Sequence, residues 1–135
     1  LEDFCMKGFE VFNFTLTEQP RLLREILEVS GCAAEEVDYF VFHQANRYII
    51  ETIAKKSGIP LEKAPRRTFS EFGNQSSASI PFTISNELSE QIGGKGARVV
   101  LQGYGIGLSW GACLLDLGRV RVLKPRVYGA GEPDE

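Results

Sequence analysis

Histidine is nearly absent from this chain: there is one, His43. The three cysteines, Cys5, Cys32 and Cys113, are far apart and form no C-x-x-C pair. A lone histidine without paired cysteines excludes the usual zinc ligand sets. An odd, scattered cysteine count argues against a disulfide framework and for a reducing, cytoplasmic setting. No apolar run approaches the ~20 residues of a membrane-spanning helix, and Leu1 to Lys7 lack the charged and apolar regions of a signal peptide. Charge of one sign is never concentrated. The net charge is −3 and the longest basic clusters are the pairs Lys55-Lys56 and Arg66-Arg67, so neither a nucleic-acid face nor a membrane surface is expected. Internal repeats and low-complexity segments are missing too. What is left for 135 residues with nine Phe is one domain with a real core. The chain opens on Leu1 rather than Met, inside what reads as an ordered segment, as a piece of a longer protein would.

The chain is organised around Val37 to Asn46. Tyr39, Phe40, Val41 and Phe42 are consecutive apolar β-formers, the signature of a strand buried on both faces of a parallel sheet. His43 follows at that strand's carboxyl end, the edge where ligands bind in open α/β sheets. Asn46 then reads as the N-cap of a helix with a buried stripe of Ile49, Ile50, Ile53 and Ala54, stopped by Gly58 and Pro60.

Before this stretch, the alternation of Val11, Phe12, Phe14 and Leu16 predicts a strand over Glu10 to Leu16. A helix follows, capped by Thr17 or Gln19, with Pro20 in its first turn, Leu22, Leu23, Ile26 and Leu27 on its buried face, and Gly31 closing it. After the central helix, Leu61 to Ser70 reads as irregular. Small residues from Ser76 to Ser79 open a deep apolar helix through Ile80, Phe82, Ile84 and Leu88, ending near Gly93-Gly94. Arg98 to Tyr104 reads as a buried strand. Gly103, Gly105 and Gly107 make a turn, and Leu108 to Leu117 returns as a last strand. The order β-α-β-α-α-β-β predicts a layered α/β domain with a partly parallel sheet, occupying residues 1–117, with a tail over 118–135 whose last residues are expected to be disordered.

Three groups of residues can carry chemistry. His43 is either a satisfied core histidine or a catalytic group, and its place at a strand end before a helix favours the second. Asn74, after Gly73, is either an N-cap or an amide donor held by a tight turn. The glycine turn is a poor dinucleotide loop, because strand rather than helix follows it. It is a hairpin that can in addition aim a backbone N–H, at Gly105 or Ile106, toward a developing oxyanion.

His43-Gln44-Ala45-Asn46, then Gly73-Asn74-Gln75-Ser76-Ser77-Ala78-Ser79, then Gly103 to Gly111 ending in Ser-Trp-Gly, occur in this order. The combination resembles the C-terminal half of a β-ketoacyl-[acyl-carrier-protein] synthase III, a condensing enzyme of the thiolase superfamily, from about Met6 to Leu117. The resemblance implies a thiolase-like half with a mixed, five-stranded type of sheet and helices on both faces. It also implies a cytoplasmic, dimeric acyltransferase of fatty acid biosynthesis with no resident cofactor, joining an acyl-CoA primer to malonyl-acyl-carrier protein. His43 and Asn74 would donate hydrogen bonds to the malonyl thioester oxygen. The nucleophilic Cys would lie in the N-terminal half, since Cys5, Cys32 and Cys113 are all placed as structural residues. Arg47, Lys55 and Lys56 are the candidate docking residues for the carrier protein. The chain departs from the family pattern at Tyr48, where Arg is frequent, at Asn13, where Lys is common, at Ile106 within an otherwise all-glycine turn, and at Leu108, where an aromatic is frequent. Two alternatives stay open: a secondary-metabolite condensing enzyme that uses CoA thioesters directly, and a non-catalytic partner domain.

Overall fold

The computed structural model describes residues 6–128. Cys5 and the end of the tail therefore lie outside the described residues. The elements, in chain order, are α1 (Gly8–Ser30), β1 (Tyr39–Phe42), α2 (Arg47–Lys56), α3 (Arg67–Phe72), α4 (Ser79–Glu87), α5 (Ser89–Ile92), β2 (Arg98–Gly105) and β3 (Ser109–Asp116). Short 3-10 turns at Ala34–Glu36, Leu61–Lys63 and Ser76–Ala78 link them.

The central strand forms as expected. Phe40, Val41 and Phe42 are all buried, and they alternate between two cores, as the two-residue period of a strand requires. Phe40 and Phe42 join Val100, Leu23, Ile50 and Ile53 in one core, which α1 and α2 cover. Val41 and Val99 pack with Leu88 and Ile92 in the other, beneath α4 and α5. The sheet has the order β1-β2-β3. β1 runs parallel to β2 with Phe40 opposite Val100, and β2 runs antiparallel to β3 with Gly105 opposite Ser109. The α/β class, the mixed sheet and the helices on both faces follow the expectation. The strand count does not: the described residues hold a sheet of three strands, not five.

The strand expected over Glu10 to Leu16 does not form, because that segment is helical, inside α1. The buried positions of α1 are Thr15, Gln19, Pro20 and Leu23; Thr15, Gln19 and Leu23 lie four apart, with Phe12 packed alongside. That is a helical period, but two of its members are polar, so the apolar residues alone mimic alternation. Pro20 consequently lies inside the helix rather than in its first turn. A proline removes the N–H that the carbonyl four residues earlier would accept. Here Lys56 Nζ donates to that carbonyl, Leu16 O, at 3.1 Å. Asn13, expected on a strand, is an exposed residue of the same helix.

Smaller differences follow from caps. The segment read as irregular, Leu61 to Ser70, contains a 3-10 turn and the start of α3. The helix expected to run to Gly93-Gly94 breaks at Leu88, which caps α4 through its N–H to Ile84 O. Residues 118–128 run back across α4 and α5: Gly94 N–H donates to Val120 O at 3.1 Å, and the Ser85 hydroxyl donates to Leu123 O.

Candidate active site

His43 sits at the carboxyl end of β1, where its backbone N–H donates to Gln102 O at 2.9 Å and extends the ladder with β2 by one residue. Its ring is half-buried and stands edge-to-face against Tyr104, centroids 5.1 Å apart. The ring's Nδ1 is 2.7 Å from Ser79 Oγ, at the first residue of α4. Burial lowers the imidazole's pKa from its ordinary 6.5, which favours the neutral ring. The same burial pushes the Tyr104 phenol up, keeping it protonated.

The two residues after His43 are structural. Gln44 is fully buried, and its amide donates to Phe42 O at 3.0 Å and Pro65 O at 3.2 Å. Asn46 caps α2, accepting the Ile49 N–H at 2.8 Å, as its position predicted. The loop that delivers His43 is thus tied to β1, α2 and α4 at once.

Asn74 is exposed, and it is not the N-cap of α4, a position held by Ala78. Its Oδ1 accepts the Ser76 N–H at 2.8 Å, a local turn that leaves the amide NH2 without a partner among the described residues. Gly73 before it has φ 70° and ψ −158°, a region open essentially to glycine alone. Ser76 after it, at φ 52°, adopts the left-handed conformation rare for a residue with a side chain. The tight turn and the free amide donor are both present.

The start of α4 is where these elements meet. Ser79 holds His43 directly, Asn74 lies on the loop that feeds the same helix, and Gly105 follows the Tyr104 that packs on His43. Ile106 is 85% exposed at the tip of the β2–β3 hairpin, so the hairpin reading of the glycine turn holds. The docking candidates are dispersed along α2. Arg47 opens the helix and pairs with Glu51 at 2.8 Å, while Lys55 and Lys56 close it, about 12 Å further along the axis at roughly 1.5 Å per residue. Lys56 is engaged with Leu16 O. The exposed Tyr48 stacks on Phe12 at 5.9 Å. Of the cysteines, Cys32 is buried and Cys113 is exposed on β3, and neither is a hydrogen-bond partner of His43. A cleft of about 520 Å³ lies between α2, α3 and the α4–α5 junction, lined by Arg47, Arg66, Arg67 and Glu87 among others; His43 and Asn74 are not part of its wall.

The sequence reading missed two residues that shape this region. In the sequence Ser79 is one of four small residues that open an apolar helix, and only its contact with His43, 36 positions away, gives it a task. Glu87 is 8% exposed and accepts from the Thr68 N–H and hydroxyl at 2.7 and 2.8 Å, anchoring α3 to α4.

Residues 27–117 match the family "3-Oxoacyl-[acyl-carrier-protein (ACP)] synthase III C terminal". The chain belongs to that family. It is 38% identical over 109 residues to the β-ketoacyl-[acyl-carrier-protein] synthase III of Thermosynechococcus vestitus, covering 81% of this chain and 33% of the relative. It is 39% identical over 117 residues to that of Lactococcus lactis subsp. cremoris, covering 85% and 36%. Among solved structures it superposes on a 3-oxoacyl-(acyl-carrier protein) synthase from Burkholderia xenovorans with a TM-score of 0.84 and 37% identity, over 88% of this chain and 34% of that one. The chain thus spans about a third of the length of these relatives. Family membership places His43 and Asn74 within a synthase III C-terminal domain, the ring anchored on one side by Ser79 and the Asn74 amide carried on a glycine-set turn.

Proposed function

We propose that this chain is the C-terminal part of a 3-oxoacyl-[acyl-carrier-protein] synthase III, a cytoplasmic acyltransferase of fatty acid biosynthesis that joins an acyl-CoA primer to malonyl-acyl-carrier protein. The observation that carries the reading is His43, held at the end of β1 through Ser79 at the start of the helix whose leading loop presents Asn74. A Cys in the remaining two-thirds of the enzyme takes the acyl group, releasing CoA. The malonyl thioester then loses CO2, and the electron pair left behind is delocalised onto the thioester oxygen as an enolate. The His43 ring N–H and the Asn74 amide donate to that oxygen. The enolate carbon attacks the acyl-Cys carbonyl, the new C–C bond forms, the C–S bond breaks, and the Cys leaves as thiolate. No cofactor is needed, because the malonyl carboxylate supplies the driving force as CO2. A neutral imidazole suits the task, since it stabilises the oxyanion without handing over a full proton.

The test is the enzyme assembled with its N-terminal part. His43→Ala and Asn74→Ala are each expected to lower the rate of CO2 release from malonyl-carrier protein by about 10²–10³, while leaving acylation of the nucleophilic Cys by acyl-CoA intact. Full decarboxylation by both variants would refute the reading.

Carrier-protein docking falls to Arg47 and Lys55, with Lys56 partly committed to α1. The exposed Tyr48 on the same helix favours a second reading, an enzyme that takes its extender as a CoA thioester. Parallel assays with malonyl-CoA and malonyl-carrier protein separate the two. For the chain alone we infer a homodimer through the 76–90 segment, where Ser76, Ser77, Ala78 and Pro81 are exposed and Ile80, Phe82 and Ile84 are incompletely covered. Sedimentation as a monomer at micromolar concentration would rule that out.

A further inference from the structure

We propose that Ser79 is a positioning residue for His43: its hydroxyl donates to Nδ1 and thereby keeps the ring proton on Nε2, the nitrogen left to donate to a substrate oxygen. One buried atom, Ser79 Oγ, decides where the protons go. Ser79 is 1% exposed. Its Oγ lies 2.7 Å from His43 Nδ1 and accepts the Gln44 backbone N–H at 3.3 Å. Were the proton on Nδ1, it would point at Oγ, and Oγ would accept from both Gln44 and the ring. The hydroxyl's own proton would then have no acceptor among the described residues, which a buried O–H does not tolerate well. The other tautomer satisfies all three groups around Oγ: Gln44 N–H donates to Oγ, the hydroxyl donates to Nδ1, and Nδ1 accepts, leaving the hydrogen on Nε2 for a substrate oxygen.

The chemical consequence is a sign. A carboxylate placed at Nδ1 accepts from it and turns Nε2 into a base, as in nucleophile-activating triads. A hydroxyl donor placed at Nδ1 does the opposite and turns Nε2 into a hydrogen-bond donor. Among the described residues no carboxylate bonds the ring. A site that must stabilise an enolate oxygen needs the donor arrangement, because an unprotonated Nε2 would repel the developing charge. In this consequence the inference rests on the condensing reaction proposed above; the tautomer itself does not.

The test is two-dimensional 15N–1H spectroscopy of the imidazole in the complete enzyme, with His43 assigned by its loss in His43→Gln. In the wild type we expect an unprotonated, hydrogen-bonded Nδ1 and a protonated Nε2. In Ser79→Ala the Nδ1 resonance should move to the position of an unbonded nitrogen or report a tautomer mixture, and Ser79→Thr should restore it. In the condensation assay, Ser79→Ala should lower kcat about ten- to a hundredfold, no more than removal of a donor itself, with KM unchanged and activity recovered in Ser79→Thr. A protonated Nδ1 in the wild type, or an Nδ1 resonance indifferent to Ser79→Ala, overturns the inference. If Ser79→Ala does not fold, the wild-type spectrum decides alone. The expected spectra in a wild-type enzyme without condensing activity would uphold the tautomer and sink the functional reading. A protonated Nδ1 in an active enzyme would do the reverse.

Discussion

His43 and Asn74 stand at the heads of different helical segments, and the chain treats them differently. The histidine loop is fixed from three directions: its backbone continues the β1–β2 ladder, its ring meets Ser79, and the next side chain, Gln44, is buried between Phe42 O and Pro65 O. The asparagine loop is held only from within, through a glycine-only bend and two local side-chain bonds, Ser76 N–H to Asn74 Oδ1 and the Gln75 amide to Gly73 O. One donor is therefore preorganised by packing and the other by backbone geometry. A donor aimed by packing should lose its place when a buried hydrogen bond is cut, at a cost to the whole fold. A donor aimed by geometry should lose its place when the bend is relaxed, at a cost mainly to the reaction.

Two substitutions sharpen that contrast. Gln44→Leu leaves two carbonyls beside the core without their donor, and each such loss typically costs about 1–3 kcal/mol. We expect a destabilisation of about 2–3 kcal/mol in urea unfolding, together with weakened catalysis. Gly73→Ala forces a side chain into a backbone region that costs roughly 1–3 kcal/mol. The exposed loop can escape most of that by changing conformation, so stability should fall by less than about 1 kcal/mol. Catalysis should fall by at least about tenfold, because a donor moved by an ångström no longer meets the oxyanion. Equal stability losses in the two variants would dissolve the distinction.

The same contrast explains what the sequence could reveal. β1, the position of His43, the Asn46 cap, the α2 stripe and the Gly31 terminus are local signals, each carried by residues a few positions apart. The first half of α1 was hidden because its buried stripe runs through two polar residues: Thr15, whose hydroxyl donates to Phe12 O at 2.7 Å within the helix, and Gln19, whose burial makes sense only through a distant partner, since Gln102 donates to Gln19 Oε1 at 2.8 Å across 83 positions. Ser79 was hidden for the same reason. Asn74 was legible as a turn donor because glycine before asparagine is a local message.

The pH dependence of stability offers a smaller effect on the histidine side. The folded-state pKa of His43 lies below its unfolded value because burial disfavours the charged ring. Its neighbours in the ring contacts, Ser79 and Tyr104, are uncharged at neutral pH and do not offset this. Between the two pKa values the unfolded chain binds more protons than the folded one, so stability rises with pH there. Acidification below about pH 6.5, the ordinary histidine value, should destabilise the wild type, and the loss should level off once the folded-state pKa is passed. His43→Gln should lack this component, so the urea midpoints of the two proteins should diverge between pH 8 and pH 5. Parallel curves would mean the ring is solvated in solution.

The smallest effect concerns the proline inside α1, where the helix is repaired from outside. Pro20 has no N–H for Leu16 O, and Lys56 Nζ takes its place at 3.1 Å. Lys56 is exposed, so the bond competes with water and should contribute no more than about 0.5–1 kcal/mol. Lys56→Met should cost about that much. In a Pro20→Ala background the helix can donate its own N–H to Leu16 O, and the same Lys56→Met change should then cost nothing measurable. The coupling energy from this double-mutant cycle isolates the contact from any general effect of removing a surface charge. A coupling near zero would mean that Lys56 does not repair the helix, and would return the residue to the candidate docking surface with Arg47 and Lys55.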